Sequence, residues 1–257
     1  ARRIARAAAN RALELDDTVA EAHSAHGQVA LFLEWDWLTA ERAFLKAIEL
    51  NANYANAHHL YGHLLQFTGR AEDAVKEFER SLELSPSSVQ DLGCYANHLV
   101  NLGRYTEAES TLARAHEANP YYAYTYVHRG SLHVRRGKLD AALAEFRQAA
   151  TQSKGIPIYT AHLAFGHAVL GQREEAQELL KELTSQSAHA QVSLKVIAAS
   201  YVALGDHDEA FSWLEKAYDS RDFFLPWIAV DYTFDTLRGD PRFDDLLRRM
   251  GLPSARR

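Results

Sequence analysis

With 257 residues, 47% of them hydrophobic, and a formal charge of −6, the chain can bury a large core but lacks the excess of Lys and Arg expected of a broad nucleic-acid or membrane-surface footprint. A single cysteine, Cys94, excludes an internal disulfide framework. There is no run of 18 apolar residues and no basic-then-apolar leader, so neither a membrane-inserted helix nor a signal peptide is expected.

In chain order, Ala1-Arg2-Arg3 opens partway through a helical pattern, which predicts a piece of a longer polypeptide. Ala5, Ala9, Ala12 and Leu15 share one helical face and read as the second helix of a hairpin whose first helix is missing. A unit starting at Ala20 carries Gly27, Ala40, Phe44 and Ala47, with one extra residue in its Glu34-Trp35-Asp36-Trp37 turn and no turn glycine.

From Ala55 the pattern becomes strict. With Ala55 as position 1, His58, Tyr61, Gly62 and Leu65 fall at positions 4, 7, 8 and 11, followed by Gly69 at 15, Ala74 at 20, Phe78 at 24, Ser81 at 27 and Pro86 at 32. The same template starts again at Val89, Ala123, Pro157 and Gln191. Its turn glycines, Gly69, Gly103, Gly137, Gly171 and Gly205, recur at one constant interval without a slip. A fixed period of about 34 residues predicts stacked helical hairpins. The template gives six complete pairs and a leading half over residues 1–218. A glycine just past a helix end takes the left-handed conformation that closes its last carbonyls. The small residue at position 8 lets the first helix of each pair approach the second, with the alanine at position 20 meeting it from the other side.

Residues 219–257 leave the rhythm and are rich in large apolar groups: Phe223, Phe224, Leu225, Trp227, Ile228, Val230 and Phe234. Because the last hairpin of an array has one apolar face without a neighbour, this segment is expected to fold onto it as a cap of one or two short helices, with an exposed aromatic docking strip as the alternative. Asp240-Pro241 reads as an N-cap followed by proline at the first helical position, and Gly251 with Pro253 as that helix's stop.

The stretch Tyr61-Gly62, Gly69, Ala74, Phe78, Pro86 resembles the tetratricopeptide repeat (TPR) pattern Trp-x2-Leu-Gly-x2-Tyr, Ala-x3-Phe, Ala and Pro, and the resemblance covers roughly residues 3–218. It implies an all-α, right-handed superhelix. The Glu34–Trp37 turn and the closing run from Asp222-Phe223-Phe224-Leu225-Pro226-Trp227 to Gly251-Leu252-Pro253 are also similar to C-terminal TPR regions of bacterial multidomain signalling and transcription-regulatory proteins. That likeness implies an upstream winged-helix, kinase or cyclase domain.

No G-x-S-x-G elbow, phosphate loop, H-E-x-x-H or paired-cysteine spacing is present, so this segment is expected to be non-catalytic and to carry no cofactor. Positions 2, 5, 9, 12 and 13 of each unit predict the concave wall, and from these the candidate ligand- or peptide-binding residues are Gln28, His59, His63, Gln66, Asn97, Asn101, Tyr124, Ser131 and Arg135. His59 and His63 form an i,i+4 pair that can chelate zinc, but no Cys, Asp or Glu stands at an obvious groove position beside them, so no metal site is expected. Arg129, His133, Arg135 and Arg136, interleaved with tyrosines, offer an alternative anionic-ligand site. Of the Lys and Asn that clamp a peptide's C-terminal carboxylate in some TPR proteins, only Asn97 has a counterpart.

The expected function is a protein- or peptide-binding scaffold within a larger bacterial regulator, with no nucleic acid bound by this segment. Self-association as a homodimer and small-ligand sensing in the groove stay open as alternatives. The expected compartment is the cytoplasm, or outside it if an upstream membrane helix exists.

Overall fold

A computed structural model describes residues 2–186 and 192–253; the Gln191 start of the last unit lies outside the described residues. Every regular element among the described residues is helical. Helix α1 (Arg2–Leu15) packs on α2 (Ala20–Val29), which pairs with α3 (Trp37–Leu50). The following hairpins are α4 (Ala55–Phe67) with α5 (Ala71–Leu84), α6 (Val89–Asn101) with α7 (Tyr105–Ala118), and α8 (Ala123–Arg135) with α9 (Leu139–Gln152). Then come α10 (Pro157–Val169) with α11 (Arg173–Gln186), and α12 (Leu194–Leu204) with α13 (His207–Ser220). Two 3-10 segments, Leu225–Ala229 and Tyr232–Leu237, lead to α14 (Pro241–Arg249).

The turn glycines behave as their spacing requires. Gly69, Gly103, Gly137, Gly171 and Gly205 all have φ between 69° and 82°, a region a residue with Cβ enters only at a cost.

Each hairpin crossing is filled from the second helix by the large side chain at position 24. A Cβ added at Gly62 would meet the Phe78 ring at 3.0 Å, and one at Gly130 would meet Phe146 at 2.5 Å, so the glycine makes room for the aromatic at position 24. Gly27 stands in the same relation to Phe44, at 2.6 Å. Where position 8 is alanine, at Ala96, Ala164 and Ala198, position 24 is Leu112, Leu180 or Leu214. Glycine thus goes with phenylalanine and alanine with leucine, which keeps the volume of the crossing nearly constant. All six large partners are at most 2% exposed, and burying such a side chain is worth about 1.5–3 kcal/mol.

The first hairpin departs from the template where the sequence carries its extra residue. Helix α2 widens into a π turn, Ala30–Glu34, and Trp35 takes the left-handed position held elsewhere by glycine, at φ 58°. That conformation costs a non-glycine residue about 1–2 kcal/mol. It is held because Trp35 is buried against Tyr218 at 5.4 Å, with the Arg221 guanidinium over its ring at 4.0 Å.

Those partners belong to the other end of the chain, so the two ends of the array meet. Trp37 Nε1 donates to the Met250 carbonyl at 2.8 Å, and Arg221 Nη1 donates to the Glu34 carbonyl at 3.5 Å. The terminal segment covers α12 and α13 as a cap would, but it also runs on across the concave side to the first hairpins. Its helix α14 begins as the Asp-Pro pair predicts, with Asp240 accepting from the Arg242 N–H at 2.9 Å.

Replacing Gly130 with Ala is expected to lower stability by about 1–3 kcal/mol despite alanine's better helix propensity, because Phe146 has nowhere to go. Adding Phe146→Leu, which recreates the alanine–leucine pairing, should recover part of that loss. Urea unfolding of the single and double variants measures both effects.

Candidate functional site

The concave wall is built from the first helix of each pair, and the chain's own residues 221–237 lie along it as a strap. Trp227 is the centre of this contact. Its ring stacks on Phe32 at 5.5 Å and 5°, and meets Phe67 at 4.8 Å and His63 at 5.2 Å edge-on. Phe223 adds a contact to Phe32 at 4.4 Å. Helix α4 is consequently buried on every side from Ala57 to Phe67, including the inner face where His59, His63 and Gln66 would otherwise meet water.

Polar groups fix the strap's course. Asp231 accepts from Lys195 of α12 and from the Thr233 N–H at 3.0 Å. Burial works to raise the Asp231 carboxyl's pKa, but the ammonium and its hydrogen bonds outweigh it and hold the group below the ordinary range. Asn101 Oδ1 accepts the Tyr232 N–H at 3.3 Å, and the Ser131 carbonyl accepts the Tyr232 hydroxyl at 3.5 Å. Arg135 lies over the Tyr232 ring at 5.1 Å and pairs with Asp235 at 3.5 Å.

Between strap and wall remains a chamber of about 290 Å³. Among the candidate residues, Gln28, His59, His63, Asn97, Tyr124 and Ser131 line it. Gln66, Asn101 and Arg135 do not; Gln66 backs His63 at 3.1 Å, and the other two hold the strap. The structure adds a row that the wall positions missed. Leu60, Cys94, His128, His162 and Val196 all line the chamber, and each stands one full period after the last. They occupy position 6 of successive units, so the repeat itself carried the signal. His128 reaches inward because position 5 of the preceding unit is Gly93, where a Cβ would come within 2.9 Å of its ring.

The chamber holds its imidazoles neutral. Burial keeps His59 and His63 below the usual histidine range, His63 well below, and lowers His128 to about 4 and His162 to about 3. Burial also pushes the Cys94 thiol up to about 12 and raises the Tyr124 hydroxyl. Contrary to the expectation that no Cys, Asp or Glu stands beside His59 and His63, both Asp91 and Cys94 of α6 do. Asp91 Oδ1 is 3.4 Å from His59 Nδ1, and the Cys94 sulfur is grouped with both rings. The adjacent hairpin brings them in, and reading α4 alone gives no hint of it.

The three arginines of the basic cluster at the end of α8 are ion-paired. Arg129 pairs with Glu145 at 2.8 Å and Arg136 with Glu109 at 2.9 Å, while Arg135 pairs with Asp235.

Below pH 6.5 the unfolded chain takes up a proton at His128 that the folded chain refuses until about pH 4. Stability should therefore fall on acidification through this window, by about 2 kcal/mol at pH 5 from this group alone. Denaturation of His128→Leu at pH 7.5 and pH 5 is expected to show a correspondingly smaller loss than the unsubstituted chain.

A family model described as tetratricopeptide repeat matches residues 95–230, and a second with the same description matches residues 43–76. No curated protein sequence matches the chain. Among solved structures, PilF of Pseudomonas aeruginosa is similar at 18% identity and a TM-score of 0.56, covering 83% of this chain and 96% of that one. TTC0263, a thermophilic TPR protein of Thermus thermophilus, is similar at 20% identity and a TM-score of 0.59, covering 69% and 95%. The APC/C hetero-tetramer Cut9-Hcn1 is similar at 14% identity and a TM-score of 0.66, covering 97% of this chain and 46% of that one. At such identities these likenesses speak to the fold alone. No helix among the described residues is long and apolar enough to cross a membrane. With its glycine-punctuated hairpins and a family match over more than half its length, the chain belongs to the tetratricopeptide repeat family.

Proposed function

We propose that this chain is a non-catalytic protein- or peptide-binding module of a larger bacterial regulatory or signalling protein, and that its concave wall takes a segment of tight turns carrying aromatic and acidic side chains. One observation carries the reading: the wall already holds such a segment. Residues 221–237 place an indole between Phe32 and Phe67, a carboxylate on Lys195, a tyrosine under Arg135 and a backbone N–H on Asn101. Aromatic anchors in apolar pockets, with a few wall groups bonding backbone, are the elements of peptide recognition in a groove. The bacterial-regulator setting rests on the likeness of the closing run to such proteins.

The strap is tethered, so it competes with any free peptide at the high effective concentration of an intramolecular ligand. A test must weaken it first. A fluorescent peptide of residues 221–237 should bind the Trp227→Ala, Tyr232→Ala variant saturably by anisotropy, and bind the unsubstituted chain at least tenfold more weakly. Adding Arg135→Glu to that variant should lower affinity at least tenfold. If the variant keeps its helical circular dichroism yet shows no saturable binding, the reading fails.

The chamber favours a second reading, a small ligand held beneath the strap, since its volume approaches that of a small-molecule site and its wall mixes apolar surface with convergent polar groups.

A further inference from the structure

His59 and His63 stand one turn apart on α4 with their Nε2 atoms 3.2 Å from each other, and Cys94 reaches them from α6 of the next hairpin. The three donor atoms all lie within 4.8 Å of one another. A tetrahedral zinc ion with Zn–N bonds of about 2.0–2.1 Å and a Zn–S bond of about 2.3 Å separates its nitrogens by about 3.3 Å, and nitrogen from sulfur by about 3.6 Å. The imidazoles thus already stand at ligand spacing, and the sulfur has at most little more than about an ångström to close.

The surroundings are those of ligands, too. His59 Nδ1 faces Asp91 Oδ1 at 3.4 Å, and Asp91 is itself fixed by the Ser81 hydroxyl, which donates to its other oxygen at 2.8 Å. A carboxylate behind an imidazole is the outer partner that orients a metal-bound histidine and raises its basicity. His63 Nδ1 is backed at 3.1 Å by the Gln66 amide, which can present either nitrogen or oxygen to it. Both Nδ1 atoms thus have a neighbour, and the two Nε2 atoms face each other.

Without a cation the cluster is poorly satisfied. His59 is 2% exposed, yet its Nδ1 makes no formed hydrogen bond. The two Nε2 atoms can share only one proton, and a neutral thiol stands beside them. Buried polar atoms left in this way call for a partner.

We propose that His59, His63 and Cys94 form a His2Cys site for a borderline-soft divalent cation, Zn²⁺ foremost, with its fourth position open to the chamber. On binding, the Cys94 S–H bond breaks and an S–metal bond forms, with the proton released to solvent. His63 moves its proton from Nε2 to Nδ1, where the turned Gln66 amide oxygen accepts it. Two neutral imidazoles, one thiolate and the Asp91 carboxylate then balance the ion's charge, so no buried charge is left uncompensated. The open position is that of a site able to take a water or a small donor ligand.

Tag-free chain titrated with Co²⁺ is the test, because Cys94 is the single cysteine and any sulfur-to-cobalt charge-transfer band must come from it. The band should saturate at one equivalent with d–d absorption of tetrahedral strength, and one equivalent of Zn²⁺ should remove it. Cys94→Ser should lose the band and at least tenfold in Zn²⁺ affinity while keeping the helical circular dichroism. Alkylation of Cys94 by iodoacetamide in the unsubstituted chain gives a reading that needs no variant: Zn²⁺ should slow it at least tenfold. No charge-transfer band at saturating Co²⁺, or an alkylation rate indifferent to Zn²⁺, would overturn the proposal.

Discussion

The crossing of the two helices within each hairpin sets everything else in this molecule. A glycine under a phenylalanine and an alanine under a leucine fill the same space in different ways, so all six crossings are filled without any one ring or methyl being indispensable to the design. Interiors at this density deform little, and equal crossings give equal steps from one hairpin to the next. Equal steps are what bring position 6 of five units into one chamber and lay a polar wall along the inner side. The chemistry of the chamber is therefore a product of packing on its other side.

Much of this was legible in the chain because it is periodic. Turn glycines, the hairpin count and the Asp240-Pro241 start of α14 follow from local rules that act within one unit. The inner wall was legible in part: Gln28, His59, His63, Asn97, Tyr124 and Ser131 do share one chamber. Cys94, His128 and His162 escaped because position 6 looks like a side position on an isolated helix. It turns inward only once the neighbouring hairpin is in place, as Gly93 making room for His128 illustrates. The strap was not legible at all, since its partners Phe32 and Trp227 are separated by most of the chain and no local rule joins them.

The π turn and the strap depend on each other. Trp35 holds a left-handed conformation that disfavours it, and what holds it there is Tyr218 and Arg221 at the root of the strap. Arg221, itself left-handed at φ 55°, reaches back to the Glu34 carbonyl beside that turn. Two strained residues thus face each other where the array's ends meet. Strain of this kind persists only where surrounding contacts over-determine it, and the ring, guanidinium and carbonyl contacts at this seam are those contacts.

The strap's origin can be read from the period itself. Gly239 lies one full period after Gly205 and has φ 99°, so the turn of a further unit is still present, and α14 occupies the place of its second helix. Arg242 pairs with Asp208 and Arg249 with Glu215, each across one full period, as stacked second helices would. What fails is the first helix. Position 8 of this unit is Tyr232, where the other units have glycine or alanine, and no hairpin crossing of the common spacing can admit a phenol. Excluded from the crossing, the segment collapses into two 3-10 turns and finds burial where unfilled apolar surface remains, on the concave wall. A repeat that cannot close on itself becomes the ligand of the repeats before it.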